Sequence, residues 1–546
     1  MRRVALILAV LSLTGCATIP TTGPVLVAGP NTVESPTGVE FVPTGPAEGA
    51  TQREIFDGFI SAGSAPQNNF RIARSFLTEE AALIWNPTRG TAVRGIYDAV
   101  EVTAATEMTY TTEIVSVVDE EGVLTSFEPA KTFEWSFSFS LVNGEWRLSE
   151  VPDISVVSES TFSSAYGEYA AYFYNDNRTA LIPDVRIFAR QGNPVASVAR
   201  AVIAGPSTYL PNASTAFPDA SELVSVLVDA DSGSATVDVS DNVIRAAITD
   251  QQDMLAQLKA SLGEFADVTA TAMSVNQSLL TIPSVPGLEP NPRVDDRPLI
   301  LSGNLFGYAT GSEIDSTPLN SVSIVDLKPT SVSFDASTNA AAIAAPTGVY
   351  LVTDQTQKKL GNASLIEPQI DGTGSVWWVK PDSPNRIFVS TEGRGFYVSG
   401  PWSSSAQIVG LEVSREDARV AIAVNDFGRG FVLVSSISYD RVGRPTSLSD
   451  FRRLTVSADS IVDLAWADST HVAILGSRNG VVHAEVATVG GSSRLIGRPQ
   501  NPTGISGGND GVAGLVVMSS DGQLWKPRGG GWESTGVVAD VLATQH

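Results

Sequence analysis

The stretch Val420 to Val434, VAIAVNDFGRGFVLV, decides the fold of the larger part of this chain. Two apolar strands flank a polar turn that includes Gly430, and this arrangement repeats along the C-terminal half. The other glycines in such turns are Gly303, Gly348, Gly395, Gly480 and Gly522. Their spacing of 35 to 50 residues matches the period of a β-propeller blade.

We therefore predict that residues 291–546 form an all-β propeller of about five to seven blades, with a β-sandwich as the alternative. Each repeated glycine is expected to supply the positive φ that is needed where the two central strands of a blade turn back.

Upstream of the repeats, residues 160–285 have the pattern of an α+β domain. Predicted strands cover Asn177 to Phe188, Leu223 to Val228 and Ala235 to Val239, and a predicted helix covers Pro194 to Ile203. The spacing of Ile244, Ile248, Leu255, Leu258 and Leu262 predicts a long amphipathic helix.

Residues 51–155 predict another α+β domain. Helical periodicity begins near Thr51, and residues 133–140 then alternate aromatic and polar side chains before the hairpin turn Asn143-Gly144. Helices followed by a long antiparallel sheet fit the nuclear-transport-factor-2-like fold. The aromatic row is expected to pack against the helices, and a ligand-lined cavity is the alternative.

The N-terminus has the pattern of a signal peptide that ends in a lipidation site. Arg2 and Arg3 precede a short apolar run, and Leu13-Thr14-Gly15-Cys16 resembles a bacterial lipobox. Residues 1–15 are thus predicted to be removed, with Cys16 acylated and residues 16–50 forming a Pro/Gly/Thr-rich tether. An ordinary signal peptide is the alternative.

Composition limits the partners that this protein can have. The chain of 546 residues has a formal net charge of -24, which argues against nucleic acid because binding phosphates needs a concentrated basic surface. Apart from the signal peptide, no apolar run is long enough to span a bilayer, so the lipid anchor is predicted to hold the protein at the membrane.

Motifs for catalysis or for cofactor and metal binding are not evident. The histidines His471, His483 and His546 have no metal-ligand spacing, and His471 and His483 are expected to be structural. The segment 504–508, GISGG, satisfies the pattern of a hydrolase nucleophile elbow, but its context predicts a propeller loop. We therefore predict neither cofactor nor metal and no enzymatic activity.

Acidic residues also fail to make a recognisable site. Asp229 and Asp231 precede Gly233 as in a calcium loop, but Ser240 occupies the place of the required Glu, so a hairpin turn is predicted. The acidic residues of the first sheet show no pairing that would support a glycosidase. They are Glu101, Glu107, Glu113, Asp119, Glu120 and Glu121.

Three segments closely resemble the LpqB family of actinobacterial lipoproteins. They are residues 15–24 (GCATIPTTGP), 199–207 (ARAVIAGPS) and 215–218 (TAFP). The last two are similar to the pattern of the GerMN domain of spore-germination proteins. The resemblance implies a lipobox, an N-terminal domain, a GerMN domain and a propeller in that order.

The resemblance also implies a non-catalytic accessory role at the extracytoplasmic face of the cell membrane. The expected partner is the extracellular domain of an MtrB-type sensor histidine kinase, and the expected process is cell-wall homeostasis and division.

Two other functions compete with this one. A glycan-binding protein could hold peptidoglycan in GerMN or propeller loops, with tryptophans stacking on sugars, although most of these tryptophans are expected in blade cores. The tryptophans concerned are Trp377, Trp378, Trp402, Trp466, Trp525 and Trp532. A hydrolase that uses scattered carboxylates is the remaining alternative.

Overall fold

The computed structural model describes residues 43–65, 67–311, 313–316, 319 and 324–546. The predicted signal peptide, Cys16 and most of the predicted tether lie outside these residues. The described chain forms two α+β domains followed by an all-β domain, in the predicted order.

The described part of the first domain begins with helices and continues as a sheet. The helices are α1 (Gln52–Ala62), α2 (Gln67–Arg74) and α3 (Glu79–Ile84). Thr51 and Glu54 form a capping box that fixes the start of α1, and the Thr78 hydroxyl caps α3.

The sheet of the first domain has the strand order β4-β3-β2-β1-β5. Its strands are β1 (Gly90–Ala104), β2 (Glu107–Asp119), β3 (Leu124–Val142), β4 (Glu145–Glu150) and β5 (Ser155–Ser158). The predicted turn Asn143-Gly144 joins β3 to β4, and both residues have positive φ (54° and 87°), as a tight two-residue hairpin requires.

The aromatic row of β3 lies partly in the core and partly beyond it. Phe137 and Phe139 are 1 % and 3 % exposed, and the Phe137 ring lies 5.0 Å from that of Phe56 in α1. Phe133 and Trp135 are half-buried and stack on each other at 5.7 Å. The predicted packing against the helices is thus confirmed for Phe137 and Phe139.

The end of the predicted tether belongs to the first domain. Pro43 and Ala50 are buried, and the Gly49 amide donates to the Glu145 carboxylate at 2.9 and 3.2 Å. The prediction of a spacer is therefore wrong for residues 43–50. A Pro/Gly-rich composition does not prevent a segment from packing when a neighbouring strand offers an acceptor.

The second domain combines two small sheets with two packed helices. Its elements are α4 (Glu159–Ala165), β6 (Tyr166–Asn175), β7 (Leu181–Ala189), α5 (Pro194–Ala204), β8 (Ala213–Ser214), β9 (Leu223–Val228), β10 (Ser234–Val239), α6 (Ile248–Leu262), β11 (Ala270–Val275) and β12 (Ser278–Leu279). The sheet orders are β7-β6-β8 and β12-β11-β10-β9. Helix α6 connects the parallel strands β10 and β11, and α5 and α6 pack on each other and on both sheets.

Two predicted element boundaries in this domain are wrong. Residues 177–180 form the turn before β7 instead of its first part. Ile244 lies in a separate 3-10 turn, Asp241–Arg245, and is 53 % exposed, because helix α6 begins only at Ile248. The sequence did not indicate this interruption, because the helical spacing of apolar residues continues from Ile244 to Ile248.

The all-β domain consists of strands β13 to β36. They are β13 (Leu299–Ser302), β14 (Leu305–Thr310), β15 (Glu313–Ser316), β16 (Ser331–Asp335), β17 (Ala340–Ala345), β18 (Gly348–Thr353), β19 (Gln357–Gly361), β20 (Gln369–Ile370), β21 (Val376–Val379), β22 (Ile387–Thr391), β23 (Arg394–Val398), β24 (Gln407–Val413), β25 (Arg419–Asp426), β26 (Arg429–Tyr439), β27 (Pro445–Arg453), β28 (Ser460–Trp466), β29 (His471–Arg478), β30 (Val481–Thr488), β31 (Ser493–Gly497), β32 (Pro502–Ser506), β33 (Val516–Ser519), β34 (Gln523–Arg528), β35 (Gly531–Val538) and β36 (Val541–Gln545).

These strands form a propeller whose blades each contain four strands in sequence order, apart from the blade that closes the ring. Blade one is β36 with β13 to β15, and blades two to six are β16 to β19, β20 to β23, β24 to β27, β28 to β31 and β32 to β35. The C-terminal strand β36 pairs antiparallel with β13 and runs parallel to β16, the innermost strand of blade two. The architecture is therefore a propeller and not a sandwich.

Most of the repeated glycines have the predicted role. Positive φ occurs at Gly303, Gly480 and Gly522 in the turns and at Gly348, the first residue of β18. These four join the second and third strands of their blades, which are the two central strands.

The prediction is wrong for Gly395 and Gly430, which lie within strands β23 and β26. Their turns take positive φ at Gly393 and Gly428 instead. A Cβ on Gly430 would come within 2.7 Å of the backbone of Ser460, so this glycine is required by close packing between blades.

A buried ion pair ties the first two domains together. Asp184 and Arg186 of β7 are 2.6 Å apart and both almost fully buried. The Ser207 amide and hydroxyl donate to Asp184, at 2.7 and 3.0 Å. Arg186 Nη1 donates to the Glu121 carbonyl of the first domain at 2.9 Å. The Ile187 amide adds a bond to the Gly122 carbonyl at 2.7 Å.

Further polar contacts join the second domain to the propeller. Glu168 accepts hydrogen bonds from the Thr488 hydroxyl at 2.7 Å and from the Ser492 amide at 2.7 Å. The Asn212 amide donates to three oxygens of β26 at 3.1 to 3.3 Å. Arg452 of propeller strand β27 contacts both α+β domains. It donates to the Leu124 carbonyl of the first domain and lies over the Tyr209 ring of the second.

We predict that Arg186→Ala lowers the free energy of unfolding by about 3–5 kcal/mol, because it leaves the Asp184 carboxylate buried without its cation. Chemical denaturation measures this change, and limited proteolysis reports loosening at the Glu121 contact. The control is Arg94→Ala, which removes the exposed pair with Asp98 and should cost less than about 1 kcal/mol. Equal losses in the two variants would contradict the prediction.

Candidate functional site

The predicted lipidation site, Cys16, lies outside the described residues. Among the residues that the structure does describe, no helix is both long and apolar enough to cross a membrane. Acylation of Cys16 stays a prediction.

The histidines lie in different environments. His471 Nδ1 is 2.9 Å from the Asp468 carboxylate. Burial disfavours the charged ring, but this hydrogen bond and the charge of Asp468 prevail and raise the His471 pKa. His483 is buried in β30. Both residues belong to blade five, and the structural role expected for them stays a prediction.

His546 makes a contact that the sequence did not indicate. Its Nε2 is 2.8 Å from Asp417 Oδ1, in a loop 129 residues away along the chain. Burial opposes protonation of the ring, but the hydrogen bond and charge of Asp417 raise the His546 pKa to about 9. The pair is therefore ionic at neutral pH, and no local motif could have revealed it.

The segment that resembles a nucleophile elbow and the segment that resembles a calcium loop both have structural explanations. Ser506 of GISGG ends β32, is 5 % exposed, and its hydroxyl is 3.3 Å from the Ala543 carbonyl in the neighbouring blade. It is thus in an inner strand, not in the predicted loop. Asp229 accepts from the Ser232 amide and hydroxyl, both at 2.7 Å, in the turn between β9 and β10, as predicted for a hairpin.

The acidic residues of the first sheet do not form one cluster: Glu101 and Glu107 are exposed on β1 and β2, and Glu113 of β2 is half-buried. Asp119 at the end of β2 and the following Glu120 and Glu121 line, together with Arg200, a cleft of about 600 Å³ between the first two domains. Across the part of the chain that is described, acidic, histidine and cysteine side chains form no group suited to a metal ion.

The tryptophans occupy structural positions. Trp377, Trp378 and Trp466 are at most 2 % exposed, so their rings cannot stack on a sugar. The other three tryptophans are half-buried, and each indole N–H group donates a hydrogen bond within the protein. Trp402 donates to the Asn385 carbonyl, Trp525 to the Ser519 hydroxyl and Trp532 to the Ile496 carbonyl, at 2.7 to 3.1 Å. The expectation of blade-core positions is confirmed for the first three.

Carboxyl groups on the inner strands connect neighbouring blades around the central channel. Glu412 of blade four accepts from the Trp466 amide of blade five at 2.6 Å. Asp463 of blade five accepts from the Ile505 amide of blade six at 2.8 Å. Sequence reasoning missed both residues, because only closure of the ring brings these strands together.

The same carboxyl groups hold protons unusually well. Burial raises the pKa of Glu412 to about 8, against the opposing hydrogen bond from Trp466. Burial likewise raises the pKa of Asp463 to about 7. Glu367 lies just before β20, the inner strand of blade three, and desolvation together with the charges of Asp463 and Glu412 raises its pKa.

The linker between the second domain and the propeller crosses one propeller face, which we call the docking face. This face carries the loops between the first and second strands of each blade. Asn291 accepts from the Ser469 amide at 3.0 Å, and Asn509 accepts from the Val294 amide at 2.9 Å. Arg415 donates to the Gly508 carbonyl at 3.1 Å, beside the same linker.

Two α+β domains locked to a six-bladed propeller define a class of multidomain propeller proteins. Family models agree: the N-terminal domain of lipoprotein LpqB matches residues 45–163, a sporulation and spore germination domain matches residues 170–281, and the LpqB beta-propeller domain matches residues 312–541. The chain belongs to the family of LpqB lipoproteins.

Relatives named lipoprotein LpqB are similar over nearly the whole chain. The protein of Thermobifida fusca is 24 % identical and covers 88 % of each chain. That of Streptomyces avermitilis is 23 % identical over 95 % of this chain and 94 % of the relative. The relative from Cutibacterium acnes is 29 % identical, and there the match spans about half of each protein, 52 % and 48 %.

Solved structures match individual domains. A nidogen/laminin complex is similar over 42 % of this chain and 88 % of its own, with 12 % identity and a TM-score of 0.31. The first GerMN domain of the Bacillus subtilis sporulation protein GerM covers 22 % of this chain and 92 % of its own, with 14 % identity and a TM-score of 0.19.

We predict that Glu412→Gln makes stability less dependent on pH. With a folded pKa of about 8, Glu412 binds a proton more tightly in the folded than in the unfolded state, so stability falls as pH rises from about 4.5 through 8. The fall should be on the order of 1 kcal/mol per pH unit, and the glutamine, which still accepts from Trp466, should remove much of it.

Denaturation at pH 6 and pH 8 measures this difference. The matched control is Glu533→Gln, which changes an exposed carboxylate paired with Arg528 and should keep the wild-type pH dependence. An unchanged pH dependence in Glu412→Gln would contradict the assignment.

Proposed function

We propose that this protein is a lipid-anchored, extracytoplasmic accessory protein that binds the extracellular domain of an MtrB-type sensor histidine kinase. Acylated Cys16 holds it at the membrane, and the folded domains make the contact. The role is regulatory, in cell-wall homeostasis and division. Relatives are named lipoproteins rather than enzymes, and the proposal includes no catalytic step.

The observation that carries the proposal is the pattern of apolar side chains on the distal face of the propeller. This face carries the turns between the second and third strands of the blades, opposite the docking face. Large apolar side chains lie in or directly after three of these turns: Phe427 in its turn is 85 % exposed, and Leu305 and Val481, which begin β14 and β30, are 59 % and 44 % exposed. Apolar anchors surrounded by polar turns are typical of protein-binding surfaces.

Blades four and five bring two of these side chains onto a continuous surface. The Gly430 amide donates to the Asp459 carbonyl at 2.6 Å, and the Asp459 carboxylate accepts from the Asn479 amide at 2.9 Å. The turns at Phe427 and Val481 are thus connected through a single residue. The second domain contacts the propeller at the ends of β26 and β30 that point away from these turns, so it leaves this surface open to a partner.

We predict that Phe427→Ser combined with Val481→Ser weakens binding to the purified kinase extracellular domain by at least about tenfold, because the apolar anchors are lost. Calorimetry with the full chain in detergent measures the affinity. The control is Leu495→Ser, which removes a side chain of 58 % exposure from an outer strand and should bind like the wild type. Wild-type protein that does not bind, or a double variant that binds equally well, would refute the proposal.

We also predict that Cys16→Ala abolishes membrane anchoring, because no thiol remains to accept the diacylglycerol. Cell fractionation and detergent phase partitioning should recover the variant in the soluble fraction or as an unprocessed precursor. Processed variant that still partitions into detergent would contradict lipidation at this residue.

A further inference from the structure

The second domain contains a sheet whose outer strand, β9, is free to pair on one side. In the order β12-β11-β10-β9, β10 is the one described strand that pairs with β9, and the ladder has a bulge at Val224. The Asp229 amide donates to the Ser234 carbonyl at 3.0 Å, and hydrogen-bonded pairs alternate along an antiparallel ladder. The amide and carbonyl groups of Val226 and Val228 therefore point away from β10, toward the free edge.

The sequence of β9, LVSVLV, contains no charged residue and no proline. Proteins often protect an exposed edge strand with one of these. The outermost strands of the six blades follow this rule, since each carries at least one charged residue. Such residues are Glu313, Lys358, Arg394, Arg452, Arg494 and Glu533. The edge of β9 thus lacks the protection that the propeller edges have.

Apolar side chains are exposed beside this edge. Val224 and Leu227 are 63 % and 71 % exposed, whereas Val226 and Val228 pack against the core of the second domain. Because successive side chains of a strand alternate between its two faces, Leu227 lies on the face that the core does not cover. Side chains of paired strands contact each other, so an added strand with apolar side chains would remove Leu227 from water.

Negative charge surrounds the edge without a local cation. Glu222 precedes β9, and Asp229 and Asp231 follow it in the turn, with all three side chains exposed. Within the described chain, no basic side chain forms an ion pair with any of them. Hydrogen bonds from Ser232 lower the pKa of Asp229, which keeps this carboxylate charged at neutral pH. Charge complementarity therefore favours a segment with a basic residue at each end.

A second copy of this chain fits the edge less well. If β9 paired antiparallel with β9 of another copy around a two-fold axis, Glu222 of one copy would lie opposite Asp229 of the other. Like charges directly opposite each other destabilise a sheet. The flanking carboxylates thus disfavour self-association and leave the edge for a different chain.

We propose that β9 binds an extended segment of a partner protein, apolar in its middle and basic at both ends, by adding it to the sheet as a further outer strand. Main-chain hydrogen bonds supply affinity, and Leu227 with the flanking carboxylates supplies selectivity. The inference goes beyond the sensor-kinase proposal and does not rest on it, because β9 belongs to the second domain and the distal face to the propeller.

Fluorescence anisotropy tests the site, with the full chain in detergent and the labelled peptide acetyl-KVTVTVK-amide as the probe. We expect a dissociation constant of about 100 µM or tighter. Two comparison peptides should each bind at least about tenfold more weakly. One has glutamate in place of both lysines, and the other is N-methylated at its three central residues, so that it cannot donate these hydrogen bonds at either edge.

The test variant is Leu227→Lys, which removes the apolar contact and adds a positive charge at an exposed position. It should weaken binding of the lysine-ended peptide by at least about tenfold. The matched control is Leu279→Lys, which makes the same change at a side chain of 67 % exposure on β12, the other edge strand of this sheet. This control should bind as the wild type does.

The proposal is overturned if the peptide does not bind at about 1 mM, if either comparison peptide binds as tightly, or if Leu227→Lys binds like the wild type. Sedimentation equilibrium in density-matched detergent tests the other occupant. A wild-type dimer that Leu227→Lys converts to a monomer would assign the edge to a second copy and also overturn the proposal. Because the kinase assay uses a different face and partner, failure of one proposal leaves the other intact.

Discussion

Closure of the propeller ring by β36 is the constraint on which the rest of the structure depends. The C-terminal strand pairs with β13, the first strand of the domain, and so covers two edges that would otherwise be unpaired. Closure also brings the two ends of this domain to one face. The linker must therefore enter there, and the second domain docks on the same face.

Buried polar contacts fix the positions of neighbouring domains relative to one another. Asp184, Arg186 and Ser207 form a network that reaches the Glu121 carbonyl, so the segment 199–207, which carries the family resemblance, acts at a domain boundary. A buried charge network is costly unless every partner is in place. It therefore favours a single relative position of the first two domains.

The candidate sites differ in how far a sequence can reveal them. Phe427 lies in a recognisable hairpin turn, so its exposure follows from local geometry. The inter-blade contacts of Glu412 and Asp463 could not be predicted, because their partners Trp466 and Ile505 meet them only after the ring has closed.

The sequence alone determined the order of the domains, the all-β character of the last one and the family, because local periodicity and short motifs record these properties. It misplaced Gly395 and Gly430, since a strand glycine required by close packing, against Phe388 of the same blade or Ser460 of the next, resembles a turn glycine. Only the tertiary structure decided the number of blades, the pairing of His546 with Asp417 and the raised pKa of Glu412. Those depend on burial and on long-range contacts, which no local pattern specifies.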